Sequence, residues 1–361
     1  MKTLCIKTMF LLFLTFILSS NTVNAQDIKY LNAKSLNLIG KARDTDRYYH
    51  RIDTLRYNNM PAKVKSLFTN SAGLAIAFKT NSNVIWAKWK TKNPKTSANM
   101  TAIAHKGLDL YIKRDGKWVF AGVGRPTENS TNAKLVENMD NTDKECLLYL
   151  PLYDEVLELE IGVTTDSYIE SIPDPFRRKV IIYGSSILQG ASASRPGMAY
   201  PAIMARRSGI NFINLGLSGN GKMEKAVADM VAGIEADAYI LDCAPNPSPE
   251  EITERTAYLV KTIRKHHPAA PIIMIQSVVR EAGNFNNKVR DRVAAQNRNF
   301  KAEYNKLKAE GITDLYYIEG DLLGTDHEGT TDGVHPNDIG FERMLQVTEP
   351  VIMDVLKSIN L

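Results

Sequence analysis

Val180-Ile181-Ile182-Tyr183-Gly184-Ser185-Ser186-Ile187-Leu188-Gln189-Gly190 is the stretch whose reading decides the fold. Four apolar residues, mostly β-branched, run straight into a Gly-Ser-Ser turn. Such a run reads as a buried parallel strand that delivers a hydroxyl to the edge of a sheet. The strand end is rigid and the turn leaves the side chain uncovered, so a serine there is a candidate nucleophile. Ser185 or Ser186 would serve equally well as a helix N-cap, and the stretch alone does not choose.

The rest of the C-terminal half does choose. Apolar runs at Phe212–Leu215, Ala238–Cys243, Ile272–Ser277 and Leu315–Ile318 alternate with helical patterns at Tyr200–Arg207, Met223–Ile234, Pro249–Lys265, Val289–Glu310 and Asp338–Lys357. This alternation predicts a doubly wound, flavodoxin-like parallel sheet covered on both faces. In such sheets ligands bind at the carboxyl ends of the strands. Those ends carry Ser185-Ser186, the glycine-rich Gly216-Leu217-Ser218-Gly219-Asn220-Gly221, Asn246 between two prolines, and the loop Thr331-Asp332-Gly333-Val334-His335-Pro336.

These are the parts that acyl transfer needs. A hydroxyl is a poor nucleophile until a neutral imidazole takes its proton, and His335 is the candidate to supply that imidazole. Asp332, three residues earlier, can hold the far ring nitrogen. The N–H groups of Ser186 and Gly219 and the amide of Asn246 can receive the charge that develops on an attacked carbonyl oxygen. Each piece also has a plain structural reading. Asp332-Gly333 makes a tight turn, Asn246 a loop cap, and Gly219 a left-handed turn residue.

Upstream, the pattern changes to short alternating strands. Gly73–Thr80 and Val84–Lys90 flank a turn at Asn81-Ser82-Asn83. Leu108–Ile112 and Trp118–Gly122 flank Arg114-Asp115-Gly116-Lys117, a strong hairpin signal. Cys146–Leu150 and Val156–Val163 continue the series, which predicts a β-sandwich or jelly roll. Trp86 and Trp89 have opposite parity on one strand, so at most one of them faces solvent. Residues 26–65 read as polar and irregular. Thr164–Arg178, with Pro173 and Pro175, reads as the boundary between domains.

The first 25 residues read as a removable leader: basic residues at Lys2 and Lys7, an apolar core at Met9–Leu18, and small residues before Gln26. That core is short for a membrane span. The expected division is therefore a signal peptide at 1–25, a β-sandwich at 26–172 and an α/β domain at 173–361, in a secreted or periplasmic protein. The net charge of +5 is mild, and two of its cations lie in the leader, which argues against nucleic acid as a partner. Cys146 and Cys243 sit in strand-like runs and read as buried free thiols. His266-His267 beside Pro268 reads as a solvated loop pair, and no metal-ligand spacing occurs.

Gly184-Ser185-Ser186-Ile187-x-x-Gly190, Gly219 after Asn214–Ser218, Asn246, and Asp332-x-x-His335 resemble the four blocks of the SGNH/GDSL hydrolases. Gly107-x-Asp109-Leu110-Tyr111, Ser194–Pro201 and Ser218–Gly221 resemble the two-domain branch that carries an N-terminal GxDLY β-domain. The resemblance implies a serine nucleophile at Ser186, an oxyanion hole of Ser186, Gly219 and Asn246, and Asp332 and His335 as the rest of a triad. Ser185 stands where this family often has Asp, and Pro245 where it often has Gly. The implied activity is hydrolysis of an oxygen ester without metal or organic cofactor. A small-molecule or glycan ester is the expected substrate, with acetyl as the preferred acyl group. Asp109, Tyr111 and Arg195 are candidate substrate contacts. Rival readings are a lipid or thioester acyl hydrolase and a non-catalytic glycan-binding protein on the same scaffold. Oligomeric state is left open.

Overall fold

The computed structural model describes residues 27–359, so the expected leader lies outside the described residues. The first half contains β1 Ile28–Asn32, β2 Asn37–Ile39, α1 Ala62–Phe68, β3 Ala75–Thr80, β4 Ile85–Thr91, α2 Ala102–Lys106, β5 Leu108–Arg114, β6 Lys117–Gly124, β7 Ser130–Val136, β8 Lys144–Tyr149, β9 Val156–Thr164 and β10 Ile169–Ser171. The second contains β11 Arg177–Gly184, α3 Ser186–Gln189, α4 Tyr200–Ser208, β12 Ile210–Gly216, α5 Lys225–Ala232, β13 Ala238–Asp242, α6 Pro249–His266, β14 Ile272–Ile275, α7 Asn287–Ala309, β15 Leu315–Ile318 and α8 Asp338–Ser358.

The first half is a sandwich. A four-stranded antiparallel sheet, β1-β9-β4-β7, faces a six-stranded one, β10-β3-β8-β5-β6 with β2 beside β3. Alternate residues of both sheets, among them Ile76, Phe78, Ile85, Trp89, Leu110 and Ile161, form the core between them. Trp89 is buried there and donates its indole N–H to the Lys106 carbonyl at 2.9 Å, while Trp86, of opposite parity, is half-buried on the other face. The β5–β6 hairpin turns at Asp115 and Gly116, both at positive φ (50° and 76°), as an Asp-Gly turn requires.

The other face of the six-stranded sheet is covered over β3, β8 and part of β5, while Phe120 on β6 stays exposed. Ala75, Ala77, Tyr111, Leu147 and Tyr149 pack in one cluster with Tyr200, Ile203, Val180, Ile182 and Ile240. The two halves share a core, and the small side chains on β3 allow the close approach.

The second half is a five-stranded parallel sheet in the order β12-β11-β13-β14-β15, the flavodoxin-like arrangement. The strand order reverses at β11, so the crevice at its carboxyl end is the expected binding position. Its second face is covered by α5, α6 and α7 and by a segment that reads as irregular in sequence. Ala42, Ile52, Met60, Val64, Leu67 and Phe68 pack there with Ile181, Tyr183 and Leu215. Arg51, fully buried, donates to the carbonyls of Asn214 (3.0 Å) and Gly216 (2.9 Å), two residues apart on edge strand β12, and to those of Leu67 and Asn70. A buried sheet edge must have its backbone groups satisfied, and here one guanidinium takes two of its carbonyls.

The structure departs from the sequence reading in small ways. The stretch read as irregular at the N-terminus contains β1, which gains its partners from β9, more than a hundred residues away. β10 lies inside the proline-bearing connection and pairs with β3. His266 and His267 are not a loop pair. His266 ends α6, and half-buried His267 bonds the Ala232 carbonyl at 2.8 Å and packs on Tyr239. Cys146 and Cys243 are buried free thiols. Among the described residues, no helix is long and apolar enough to cross a membrane.

Candidate active site

β11 ends at Gly184, where a side chain would lie 2.3 Å from the Asp242 carbonyl. Ser185 then caps α3, its Oγ accepting the Ile187 N–H at 3.2 Å, and Ser186 is the first helical residue. The two readings of this turn therefore fall on different serines. Ser185 is the cap. Ser186 points its Oγ at His335 Nε2, 2.9 Å away.

His335 Nδ1 lies 2.8 Å from Asp332 Oδ2. A carboxylate accepts only, so Nδ1 carries the proton and Nε2 offers its lone pair to the serine hydroxyl. The Asp-x-x-His spacing is a local device. Asp332 Oδ1 accepts the backbone N–H of Val334 (3.0 Å) and of His335 (2.8 Å), and Gly333 supplies a φ of 77°. Partial burial alone would raise the Asp332 pKa. The His335 N–H, the His335 ring and Asn99 outweigh it and hold the carboxyl down at about 2.

The loop after β12 is pinned beside this turn. Leu217 N–H reaches the Gly184 carbonyl (2.9 Å), Ser218 N–H reaches Gln189 Oε1 (3.0 Å), and Gly221 passes so close to Gly184 that a Cβ would lie 2.3 Å from its carbonyl oxygen. Gly219 sits at the exposed tip with φ 68°. Asn246 accepts the Gly221 N–H on its Oδ1 at 3.0 Å, which leaves its NH₂ end as the donor. The prolines that flank Asn246 are themselves held, with Gln296 donating to the Pro247 carbonyl at 2.6 Å and Arg280 to that of Pro245 at 2.7 Å.

Two residues of the β-sandwich enter the site without any signal in the sequence. Asn99 Nδ2 donates to Asp332 Oδ2 at 2.9 Å. The Tyr153 hydroxyl donates to the Ser186 carbonyl at 3.3 Å. Both lie on loops of no periodicity, so only their partners mark them.

Asp109, Tyr111 and Arg195 meet one another, and none is hydrogen-bonded to Ser186, His335 or Asp332. Asp109 is fully buried. Its oxygens take Arg195 Nη1 (3.1 and 2.9 Å) and the Gly197 N–H (2.8 Å), and Arg195 also donates to the Tyr111 hydroxyl. The strand that carries the Gly-x-Asp-Leu-Tyr motif is thus latched to the loop 194–197 of the other half. On one side of that loop is a cavity of about 490 Å³ lined by Asn99, Met100, Ser192, Ser194, Asp338 and Ile339 among others. On the other is a groove of about 570 Å³ lined by Tyr111, Trp118, Arg195 and Arg206. Among the described residues, no group of three or more His, Cys, Asp or Glu side chains is gathered to hold a metal ion.

The family model of the GDSL-like lipase/acylhydrolase family matches residues 177–353, and that of the N-terminus of SGNH-hydrolase-type esterases (GxDLY) matches residues 28–169. A crystal structure from Bacteroides ovatus ATCC 8483, described as a GDSL-like lipase, is 59% identical over 92% of this chain and 98% of its own, with a TM-score of 0.91. A salicylyl-acyltransferase from a tetracycline biosynthetic pathway shares the fold at 18% identity and TM-score 0.70, over 91% of this chain and 97% of its own. An acetyl xylan esterase from the rumen bacterium Butyrivibrio proteoclasticus shares it at 14% identity and TM-score 0.56, over 92% and 99%. No curated protein matches the sequence.

Proposed function

Because the chain belongs to the GDSL-like lipase/acylhydrolase family, and is an ester-hydrolysing enzyme of the SGNH type, we propose that it is an exported serine esterase that removes short acyl groups, acetyl foremost, from oxygen esters on carbohydrate. The observation that carries the mechanism is the unbroken chain Ser186 Oγ–His335 Nε2 (2.9 Å) and His335 Nδ1–Asp332 Oδ2 (2.8 Å).

In this reading Ser186 Oγ attacks the ester carbonyl while its proton passes to His335 Nε2. The imidazolium is stabilised by the ionised Asp332. The Ser186 and Gly219 N–H groups and the Asn246 NH₂ receive the oxyanion, whose charge exists only near the transition state. His335 then returns the proton to the departing alcohol, leaving an acyl group on Ser186. Water, deprotonated by the same ring, attacks that acyl group, and the proton goes back to Ser186 as the acid leaves. Asp332, held down to about 2, stays ionised throughout the range in which an imidazole works.

The carbohydrate preference rests on the accessory β-sandwich, on the expected leader at residues 1–25, and on a fold shared with family-two carbohydrate esterases and an acetyl xylan esterase. Acetate release from acetylated glycans by wild type and Ser186→Ala tests it. Wild type is expected to release acetate and the variant to lose at least about 10³-fold in kcat. Equal release by both ends the assignment of Ser186. A p-nitrophenyl ester series tests the acyl group, and rates that climb with chain length contradict the acetyl preference.

A further inference from the structure

Asn99 lies in the loop between β4 and α2, fastened at both ends. Towards its own domain, the Asn93 side chain donates to Asp154 (2.8 Å) and the Ser97 N–H to His105 Nδ1 (3.2 Å). Towards the hydrolase half, Ser192 Oγ donates to the Asn99 carbonyl (2.9 Å) and Thr101 Oγ1 to the Ser194 carbonyl (2.6 Å). The loop therefore presents the Asn99 side chain from a fixed backbone, and that side chain ends on Asp332.

The orientation of its amide is set by its neighbours. Asn99 Nδ2 lies 2.9 Å from Asp332 Oδ2 and 3.3 Å from His335 Nδ1. Turned over, the amide would set two oxygens at 2.9 Å with no proton between them. Nδ1 carries the proton it gives to Asp332, so it cannot also accept from Asn99. Asn99 therefore donates to the carboxylate and only grazes the ring. An ionised carboxylate has about four acceptor positions. Here the Val334 N–H, the His335 N–H, the His335 ring and Asn99 supply four donors. Three belong to the Asp332–His335 turn itself. Asn99 is the one that comes from the other half of the molecule.

We propose that Asn99 is a positioning residue for the esterase reaction: it holds the Asp332 carboxylate in the plane of the His335 ring, so the proton relay is complete only when the β-sandwich is docked on the hydrolase sheet. This rests on the triad assignment above. It gives the β-sandwich a direct part in the chemistry, acting through Asp332 and not through substrate. A hydrogen bond to a charged group is a strong one, and its loss is felt in the step where His335 becomes charged.

The test uses the full chain and two variants. Asn99→Ala is expected to lower kcat for p-nitrophenyl acetate about tenfold and leave KM within about twofold. Its melting temperature should stay close to wild type, because the loop anchors at Ser192 and Thr101 use backbone carbonyls. Asn99→Asp sets a second carboxylate against Asp332 and is expected to move the acid limb of kcat/KM upward by about one pH unit. A loop that merely braces the domains would leave kcat of Asn99→Ala at the wild-type value; the Asn99→Asp shift reports only that this side chain lies against the Asp332–His335 pair. The second readout is the downfield proton resonance of the His335 Nδ1–H···Asp332 bond, identified by its absence in Asp332→Asn. It should broaden or vanish in Asn99→Ala. An Asn99→Ala enzyme with wild-type kcat, wild-type pH profile and an intact resonance overturns the proposal. If wild type and Ser186→Ala prove equally active, the triad reading has failed, and the resonance still decides whether Asn99 orders the Asp332–His335 pair.

Discussion

Gly221 donates its backbone N–H to Asn246 Oδ1 at 3.0 Å. The bond joins the loops after β12 and β13 and fixes which end of the Asn246 amide is free. An amide whose oxygen is committed can offer only N–H. Asn246→Ala should therefore lower kcat by about 10²–10³ with little change in KM, the pattern for a donor used only in the transition state. Asn246→Asp has no donor and adds like charge, so it should be at least as poor. An Asn246→Ala enzyme with a kcat close to that of wild type would refute the assignment.

Asp242 gives a pH prediction. It is fully buried at the end of β13, with the Tyr200 hydroxyl 3.0 Å away as its hydrogen-bond partner. Burial pushes its carboxyl up to about 7, and the Tyr200 bond offsets only part of that. The folded pKa lies above the unfolded one, so between about pH 4 and pH 7 the unfolded chain has given up a proton that the folded one keeps. Stability should fall as pH rises through that window and level off above it. Asp242→Asn removes the titration. Relative to wild type, the variant should gain on the order of a few kcal/mol in unfolding free energy between pH 4 and pH 7.5, read as a rising difference in melting temperature. Parallel stability–pH curves for the two proteins would contradict this.

Asp109→Asn tests the latch. The substitution leaves Arg195 without its carboxylate at a contact where Asp109 is fully buried. Breaking such a pair costs on the order of 3 kcal/mol, read as a lower denaturation midpoint. Asp109, Tyr111 and Arg195 are also candidates for substrate contact, and the same variant separates the two roles. Loss of stability with KM preserved favours the latch, whereas a raised KM at unchanged stability favours substrate contact.

Arg51→Met should be among the most damaging single changes. It removes donors to four buried backbone carbonyls at once and opens the free edge of β12. Losses above about 3 kcal/mol are expected. Arg51→Lys should recover little, since one ammonium cannot span carbonyls served by a planar fork. Urea denaturation of both variants checks it, and a Lys variant as stable as wild type would show that the charge alone matters.

Several features of the chain are legible locally. The run Val180–Tyr183 into Gly-Ser-Ser marks β11 and its turn, because a strand buried on both faces needs unbroken apolar residues. Asp115-Gly116 marks its hairpin because that turn needs positive φ. Asp332-x-x-His335 closes on itself through bonds between residues two and three apart, so its spacing and its geometry are nearly the same fact. Other parts left no local trace. Ala42, Ile52 and Met60 pack under the parallel sheet from a segment with neither helical nor strand period. Strand and turn chemistry leave Ser185 and Ser186 as equal candidates; the family motif points to Ser186, and the structure sets its hydroxyl against the His335 ring while Ser185 caps the helix.

Periodicity and turn chemistry by themselves determined the two architectures and the strand ends at which polar groups gather. Those signals record which face of an element is buried and which backbone angles a residue tolerates. The tertiary structure alone decided that Asn99 completes the shell of a carboxylate 233 residues away, that Arg51 takes two carbonyls of a sheet edge, and that Asp109 holds an arginine. Each of these is a single directional bond whose existence depends on where two distant loops come to rest, and no pattern along the chain encodes that distance.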